Sequence, residues 1–413
     1  MDPVTEPLAR VVRDEWGRLV ALLLAQFRRL DLVEDALGDA VEAASRTWPR
    51  DGVPTNPSAW LLTAARRRVV DRLRTEDVVR RTQPLLATEA ARRQEGARSM
   101  ADPGAVLEDD LLRLVLMCSH PALAPEAASA LSLRLVLGVP TRDVARLFLV
   151  SETTMAARIT RAKKRIVGAG IPFAVPDASH LPQRLDNVAQ TAYLAFTAGY
   201  APGSGPDLLR ADLAGEAIRL VRTTLAVRPA EPVLLALLAL LLLQHSRRDA
   251  RVADGRLVLL PDQDRSRWHG DEIEQGRRVL AHPALAGPVT TLAASYTVQA
   301  RIAAEHALAP TSADTRWHRI VALYDVLLRL APSPSARLAR AVAVAEDRGP
   351  ESGLAALEGI EVPGSHRPAA VRAELHARAG DVVAARAAFD QAIAACRNEV
   401  ELAFLRERRQ SLD

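Results

Sequence analysis

Four apolar side chains, Met155, Ile159, Ala162 and Ile166, recur at intervals of 4, 3 and 4, and so specify one face of an α-helix. Arg158, Arg161 and Arg165 follow intervals of 3 and 4 on another face, flanked by Lys163 and Lys164, the only lysines in the chain. Ser151 stands where an N-cap is needed, and Glu152 places a negative charge in the first turn, where the helix dipole favours it. Upstream, a helix expected from about Glu126 to Leu137 stops at Gly138-Val-Pro140. Thr141 is placed to cap a short helix carrying Val144, Ala145 and Leu147, and a break follows at 148–150. Two short helices about a tight break, the second polar early and cationic late, have the grammar of a helix-turn-helix. Such a second helix enters the major groove while its cations neutralise phosphates. A basic surface helix in an ordinary bundle would account for the charges but not for the break and the caps.

The N-terminal part carries two further patterns. Residues 5–48 read as helices, with Val33, Leu37, Ala40, Ala44 and Trp48 at intervals of 4, 3, 4 and 4 on one face. Asp31, Asp35, Asp39 and Glu42 line another face, which on its own reads as a solvated surface. Residues 49–57 are a loop by composition, and Ser58 is placed to cap a helix starting at Ala59. That helix carries Trp60, Leu61, Ala65 and Val69, with Arg66, Arg67, Arg68, Arg72 and Arg74 among them. Trp48 and Trp60 beside such cations are flat surfaces on which bases can stack; two core tryptophans with solubilising arginines are the alternative. Residues 76–107 are polar, weakly periodic and read as a linker.

Charge agrees with this division. Of 54 basic and 50 acidic residues, 26 and 22 fall in residues 1–174, which leaves 28 of each beyond. The net charge of +4 therefore sits in the N-terminal part, as a nucleic-acid partner there would require. From about 181 onward, Ala- and Leu-rich stretches alternate with short Pro, Gly and Asp breaks. Two helical hairpins are expected near the end, from Pro334 to about Leu357 and from about Pro368 to Cys396 with a break at Gly380-Asp381, a spacing close to a tetratricopeptide repeat. A plain helical bundle is the other reading. With 49% apolar but only 4% aromatic residues, an all-α fold is expected.

Cys118 and Cys396 are too few for a disulfide framework and read as buried small side chains in a reducing cytosol. The N-terminus lacks the pattern of a signal peptide. The apolar run from Pro232 to Leu243 is too short for a bilayer and reads as a buried helix. A cytoplasmic protein without membrane, metal or cofactor is expected.

These residues resemble the extracytoplasmic-function sigma factors of bacterial RNA polymerase. Region 2 of that family resembles Asp31-Leu-Val-Glu-Asp-Ala36 leading to Trp48, then Ala59-Trp-Leu-Leu-Thr-Ala-Ala-Arg-Arg-Arg-Val-Val-Asp-Arg-Leu-Arg74. Region 4 resembles 127–166, including Thr154-Met-Ala-Ala-Arg158 and Arg161-Ala-Lys-Lys164. The subgroup with a tetratricopeptide-like C-terminal extension is similar in the strings Cys118-Ser-His-Pro-Ala-Leu123, Gly170-Ile-Pro-Phe173, Asp262-Gln-Asp-Arg265 with Trp268, and Pro332-Ser-Pro334. Three departures stand out: Ala65-Arg66-Arg67 where Ala-Arg-Asn is usual, Val41 in place of an aromatic, and Thr197-Ala-Gly-Tyr200 in place of Asn-Glu-Gly-Tyr.

The resemblance implies an architecture of region 2 over 1–75, a linker over 76–107, region 4 over 108–170 and a helical repeat domain over 177–413. It implies core RNA polymerase and promoter DNA as partners. Asp31, Asp35, Asp39 and Glu42 then contact the polymerase. Asn56, Trp60, Arg66, Arg67, Arg68, Arg72 and Arg74 serve the −10 element. Ser151, Thr153, Thr154, Arg158, Arg161, Lys163, Lys164 and Arg165 serve the −35 element. Asp262, Asp264, Arg265 and Trp268 form a candidate regulatory loop, with a salt-bridged structural corner as the alternative. The extension is expected to dock on a sigma module and modulate it.

Three rivals come from other classes, one of them a purely protein-binding scaffold. An enzyme finds no support: the polar cluster of Asp262, Asp264, Arg265 and His269 has neither metal-ligand spacing nor a nucleophile–base pair. A helix-turn-helix regulator with a helical sensor domain explains 126–166 but not the region 2 pattern.

Overall fold

The computed structural model describes residues 5–80, 103–148, 150–200, 211–253, 256–362 and 365–412. The described residues are all-α apart from one two-stranded antiparallel ribbon, β1 (Val252–Ala253) with β2 (Arg256–Leu257), paired Val252 to Leu257 and Ala253 to Arg256. It divides into two compact units, residues 1–194 with 226–229, and residues 195–225 with 230–413.

The first unit contains α1 (Thr5–Phe27), α2 (Leu30–Asp51), α3 (Pro57–Arg80), α4 (Pro103–Cys118), α5 (Pro125–Leu135), α6 (Thr141–Leu147), α7 (Glu152–Gly168) and the start of α8 (Leu181–Tyr200). The ladder Val33, Leu37, Ala40, Ala44 and Trp48 is buried as its spacing requires, against Trp16, Val20, Leu23 and Leu24 of α1 and Leu61, Ala65 and Val69 of α3. α5 is buried nearly all round, from Ala128 to Leu135, so it is the internal strut on which the helix-turn-helix is mounted. Arg184 of α8 donates to the Leu116 carbonyl at 2.7 Å, and Ser129 of α5 donates to the Thr191 carbonyl at 2.9 Å.

Several sequence expectations shift locally. α2 continues through Pro49 to Asp51 and ends at Gly52, whose φ of 85° permits the turn. α3 begins at Pro57, and its cap is Asn56, whose side chain accepts from the Ala59 amide at 3.0 Å. Ser58 is displaced from that role because Pro57, with no N–H to lose, fits the first turn. Thr141 lies inside α6, where the N-cap position is held by Pro140 without a side-chain bond. Ser151 caps α7 as expected, accepting from the Thr154 amide at 3.2 Å. Most of the 76–107 segment lies outside the described residues; its ends are the last residues of α3 and the start of α4.

The second unit contains the end of α8, most of α9 (Ala211–Val227), α10 (Pro232–His245), the ribbon, α11 (Gly270–Leu280), α12 (Thr291–Ala307), α13 (Trp317–Leu330), α14 (Pro334–Arg348), α15 (Pro350–Ala356), α16 (Arg367–Arg378), α17 (Val382–Ala395) and α18 (Glu399–Gln410). α10 is the apolar run, and its side chains from Val233 to Leu243 are all buried. Beyond it the core is a series of small clusters, each shared by neighbouring helices. Ile302 with Ile320, Val321 and Val344 forms one; Leu338 with Leu357, Ile360 and Leu375 forms the next; Ala373 with Phe389, Ala392 and Leu405 forms the last. Both expected hairpins are present, α14 with α15 and α16 with α17, the second turning at Gly380 (φ 82°) and capped by Asp381. No helix among the described residues is long and apolar enough to cross a membrane.

Candidate nucleic-acid interface and polymerase-facing surface

The helix-turn-helix is built from α6 and α7. Met155, Ile159, Ala162 and Ile166 bury one face of α7, and this pins the helix so that the remaining faces point to solvent. Ser151, Thr153 and Thr154 are exposed at its N-terminus, with the Ser151 hydroxyl 3.0 Å from that of Thr153 and 2.8 Å from that of Thr154. Arg161, Lys164 and Arg165 are exposed, and Arg158 is half-buried. Three of the five arginine and lysine positions along this stripe therefore face water, as phosphate neutralisation requires.

Lys163 differs from the others. It is half-buried, and its ammonium is bonded to the carboxylate of Glu34 on α2. The other oxygen of that carboxylate accepts from Arg134 Nε of α5 at 2.7 Å. Glu34 is only 6% exposed. Its neighbour Cys118 is completely buried, and its thiol is pushed above the usual range by burial first and the Glu34 charge second, with Lys163 opposing. Glu34 and Arg134 were not among the residues singled out from the sequence. The available signal was a lone Arg in the apolar run Ala130-Leu-Ser-Leu-Arg-Leu-Val-Leu137.

On α2, Asp31, Asp35 and Glu42 are exposed and Asp39 is half-buried. The face is internally compensated. Arg29 donates to both oxygens of Asp31, at 3.0 and 2.8 Å, and to both of Glu76 on α3. The Arg29 bond, acting against the opposing effect of burial, holds the Asp31 carboxyl below the ordinary carboxylate range. Arg72 of α3 donates to Asp39 at 2.8 Å and lies 3.5 Å from Asp35, and Glu42 pairs with Arg46 one turn on.

Of the −10 set, Asn56 is exposed and holds the start of α3 through its cap. Trp60 is half-buried, edge-on to Trp48 with ring centroids 5.6 Å apart. Trp48 itself is 2% exposed, so it supports Trp60 from the core and offers no stacking face of its own. Arg67, Arg68 and Arg74 are exposed, Arg66 and Arg72 half-buried. Arg68 and Arg72 share one groove with Asp39, Asp71 and Glu76, so α3 presents mixed charge on that side.

In the second unit, Arg265, Trp268 and Asp264 come together, whereas Asp262 stands exposed beside them. The Arg265 guanidinium lies 4.3 Å from the Trp268 ring centre and donates to the His306 and Ala309 carbonyls at 2.9 and 2.8 Å. Asp264 caps the next turn through Ser266. This geometry fastens the loop to the end of α12. A groove of about 530 Å³ nearby is lined by Trp317, Tyr324, Val371, Phe404 and the paired charges Glu346–Arg378.

Among the described residues, His366, Cys396 and Glu401 bring three metal-ligating atoms within 4.8 Å. Glu401 is already engaged there by His366 Nε2 at 3.1 Å and by Arg367 at 3.5 Å, which makes this an ion-paired corner.

Comparison with known proteins agrees with the local geometry. Residues 113–166 match the family described as sigma-70, region 4, and residues 184–284 match a family of unknown function (DUF6596). An uncharacterized protein of Rhizobium meliloti (strain 1021) is 43% identical over 392 residues, covering 93% of this chain and 90% of that protein. No solved structure matches. The helix-turn-helix of α6 and α7 is thus a sigma-70 region 4 domain, and the chain belongs to the same family as the Rhizobium meliloti protein.

Proposed function

We propose that the chain is a cytoplasmic sigma factor of the extracytoplasmic-function type, which binds core RNA polymerase and directs it to specific promoters. One observation carries the reading: a region 4 helix-turn-helix whose second helix is capped by Ser151 and turns Arg161, Lys164 and Arg165 outward. In this reading α7 serves the −35 element, with Arg158 nearest the base edges. The start of α3, with Asn56, Trp60 and Arg67, serves the −10 element. Trp60 braced edge-on by buried Trp48 is a rigid platform for one unstacked base. The α2 face of Asp31, Asp35, Asp39 and Glu42 receives the polymerase. The second unit acts as a tetratricopeptide-like modulator, because its successive helical hairpins expose a groove suited to a protein segment. Activity is regulatory, with no catalytic role.

The test is run-off transcription with purified core polymerase on the gene's own upstream region. A sigma factor yields a discrete transcript and co-elutes with core polymerase. A helix-turn-helix regulator without polymerase affinity does neither, and that result would replace this reading with the sensor-regulator one.

A further inference from the structure

We infer that the groove lined by α13, α14, α16 and α18 is a binding site for a small, flat, apolar molecule that carries one anionic group. In a sequence that is only 4% aromatic, Trp317 and Tyr324 of α13 and Phe404 of α18 stand half-buried around one space of about 530 Å³. Val342 of α14 and Val371 of α16 extend the apolar lining. Aromatic rings gathered at a concave surface and left part-wet mark a face that an occupant completes. The volume lies within the roughly 300–1,000 Å³ of small-molecule sites.

The loop after the ribbon supplies a further wall. Arg256 of β2 pairs with Glu407 of α18 at 3.2 Å, and Arg265 donates to the His306 and Ala309 carbonyls at the end of α12. Leu259, Leu260 and Pro261 lie between these two fastenings in sequence and line the groove. Leu259 is exposed despite its apolar side chain, and a bound apolar body would cover it. Helical hairpins alone form a trough open to a protein segment. With this loop as a lip, the trough becomes a bounded pocket that suits a short ligand.

The charged groups of the lining decide the sign of the ligand. Glu374 is held by Arg408 through two bonds at 2.8 and 2.7 Å, and Glu346 is paired with Arg378. Glu401 is shared between His366 at 3.1 Å and Arg367 at 3.5 Å. Every carboxylate of the lining is therefore already matched, which leaves a cationic ligand no partner. Arg367 is the loosest cation: its one printed contact is long and its side chain is 54% exposed, so it can turn to an anionic group on a ligand. His306 also lines the groove. Burial, then the charges of Arg247 and Arg265, keep its ring neutral, so it offers a donor and an acceptor without adding charge. An apolar pocket with one mobile guanidinium and a neutral imidazole selects an aromatic or conjugated acid over a cation or a plain hydrocarbon.

The site stands on its own geometry; only the effect of its occupancy rests on the modulator reading above. The probes are anilinonaphthalene sulfonate and its uncharged analogue phenylnaphthylamine, which share a flat apolar body and differ in the sulfonate. Each is titrated into the full chain by fluorescence, with calorimetry for the stoichiometry. The wild type should bind the sulfonate at one site per chain, about fivefold more tightly than the neutral dye. Arg367→Gln changes an exposed side chain and should erase that preference by weakening the sulfonate alone. Ala339→Phe fills the lining from α14 and should weaken both dyes at least about tenfold; if it does not fold, Arg367→Gln decides. A sulfonate preference that survives Arg367→Gln overturns the site. So does the absence of dye binding in the wild type, which leaves the groove to a protein segment. Run-off transcription at saturating dye separates the two readings. A changed transcript yield ties the site to modulation, whereas saturation without any change leaves the site standing and removes the modulator role.

Discussion

Arg72 of α3 donates to Asp39 of α2 at 2.8 Å and stands 3.5 Å from Asp35. One cation thereby offsets two of the four carboxylates on the face assigned to the polymerase. Exposed Asp35, at the longer distance, is the better probe of that face, because losing a part-exposed pair costs at most about 1 kcal/mol. Asp35→Arg is expected to weaken core polymerase binding at least about tenfold while leaving the thermal midpoint within a few degrees of wild type. Asp39→Arg sets two guanidiniums against each other and should lower the midpoint as well. Sizing-column complex formation with parallel melting curves separates the two. Undiminished binding by Asp35→Arg removes this face from the polymerase contact.

The arginines of α7 are expected to divide by burial. If half-buried Arg158 reads a base edge as proposed, Arg158→Ala should cost about 1–3 kcal/mol on the native −35 sequence and little on a scrambled one. Exposed Arg161 and Arg165 should behave as phosphate contacts: each Ala variant weakens both DNAs alike and reduces the salt slope by about 1. Fluorescence anisotropy across a salt series reads both quantities. Equal loss on native and scrambled DNA would demote Arg158 to a phosphate contact.

The periodic parts of this fold were legible because burial enforces periodicity. Val33 to Trp48 and Met155 to Ile166 could be placed in the core from spacing alone. Caps were legible where one residue competed, as at Ser151, and not where Pro57 and Pro140 shifted the helix start past Ser58 and Thr141. The charge partners were not legible at all. Glu34 lies between Asp31 and Asp35 in sequence and looks like part of the same acidic face, yet a rotation of about 100° per residue turns it inward. Its partners lie 100 and 129 residues away, and no local pattern encodes such a distance. For the same reason Lys163 looks equivalent to Lys164 in sequence while the fold gives them opposite surroundings.

Ser151 was expected at the −35 element, yet its hydroxyl is committed to the Thr154 amide. Ser151→Ala should therefore lower stability by about 1 kcal/mol through the lost cap. Ser151→Asp, which keeps a capping oxygen, should restore the melting midpoint while weakening DNA binding, because it adds a negative charge beside the phosphates. If Ser151→Ala leaves the midpoint unchanged and reduces only sequence discrimination, the hydroxyl reads DNA and the cap is incidental.

His306 at the end of α12 lies edge-on to Trp317, with ring centroids 5.2 Å apart, and its carbonyl receives Arg265. Burial first, then the charges of Arg247 and Arg265, push its imidazole down to about 4 from the ordinary 6.5. The unfolded chain therefore binds a proton between about pH 6.5 and 4 that the folded unit refuses. Stability contributed by the neutral ring is fully present above about pH 6.5 and is lost as pH falls through that window. The loss should amount to about 1–3 kcal/mol by pH 4 at the protein's expense of protonating or exposing His306. His306→Phe keeps the ring contact with Trp317 and removes the titration. Urea melts of the full chain at steps from pH 7 to 4 should show a shallower acid decline for this variant than for wild type. Parallel declines would mean that the imidazole is hydrated and titrates normally, and that the acid sensitivity of this unit resides in its carboxylates.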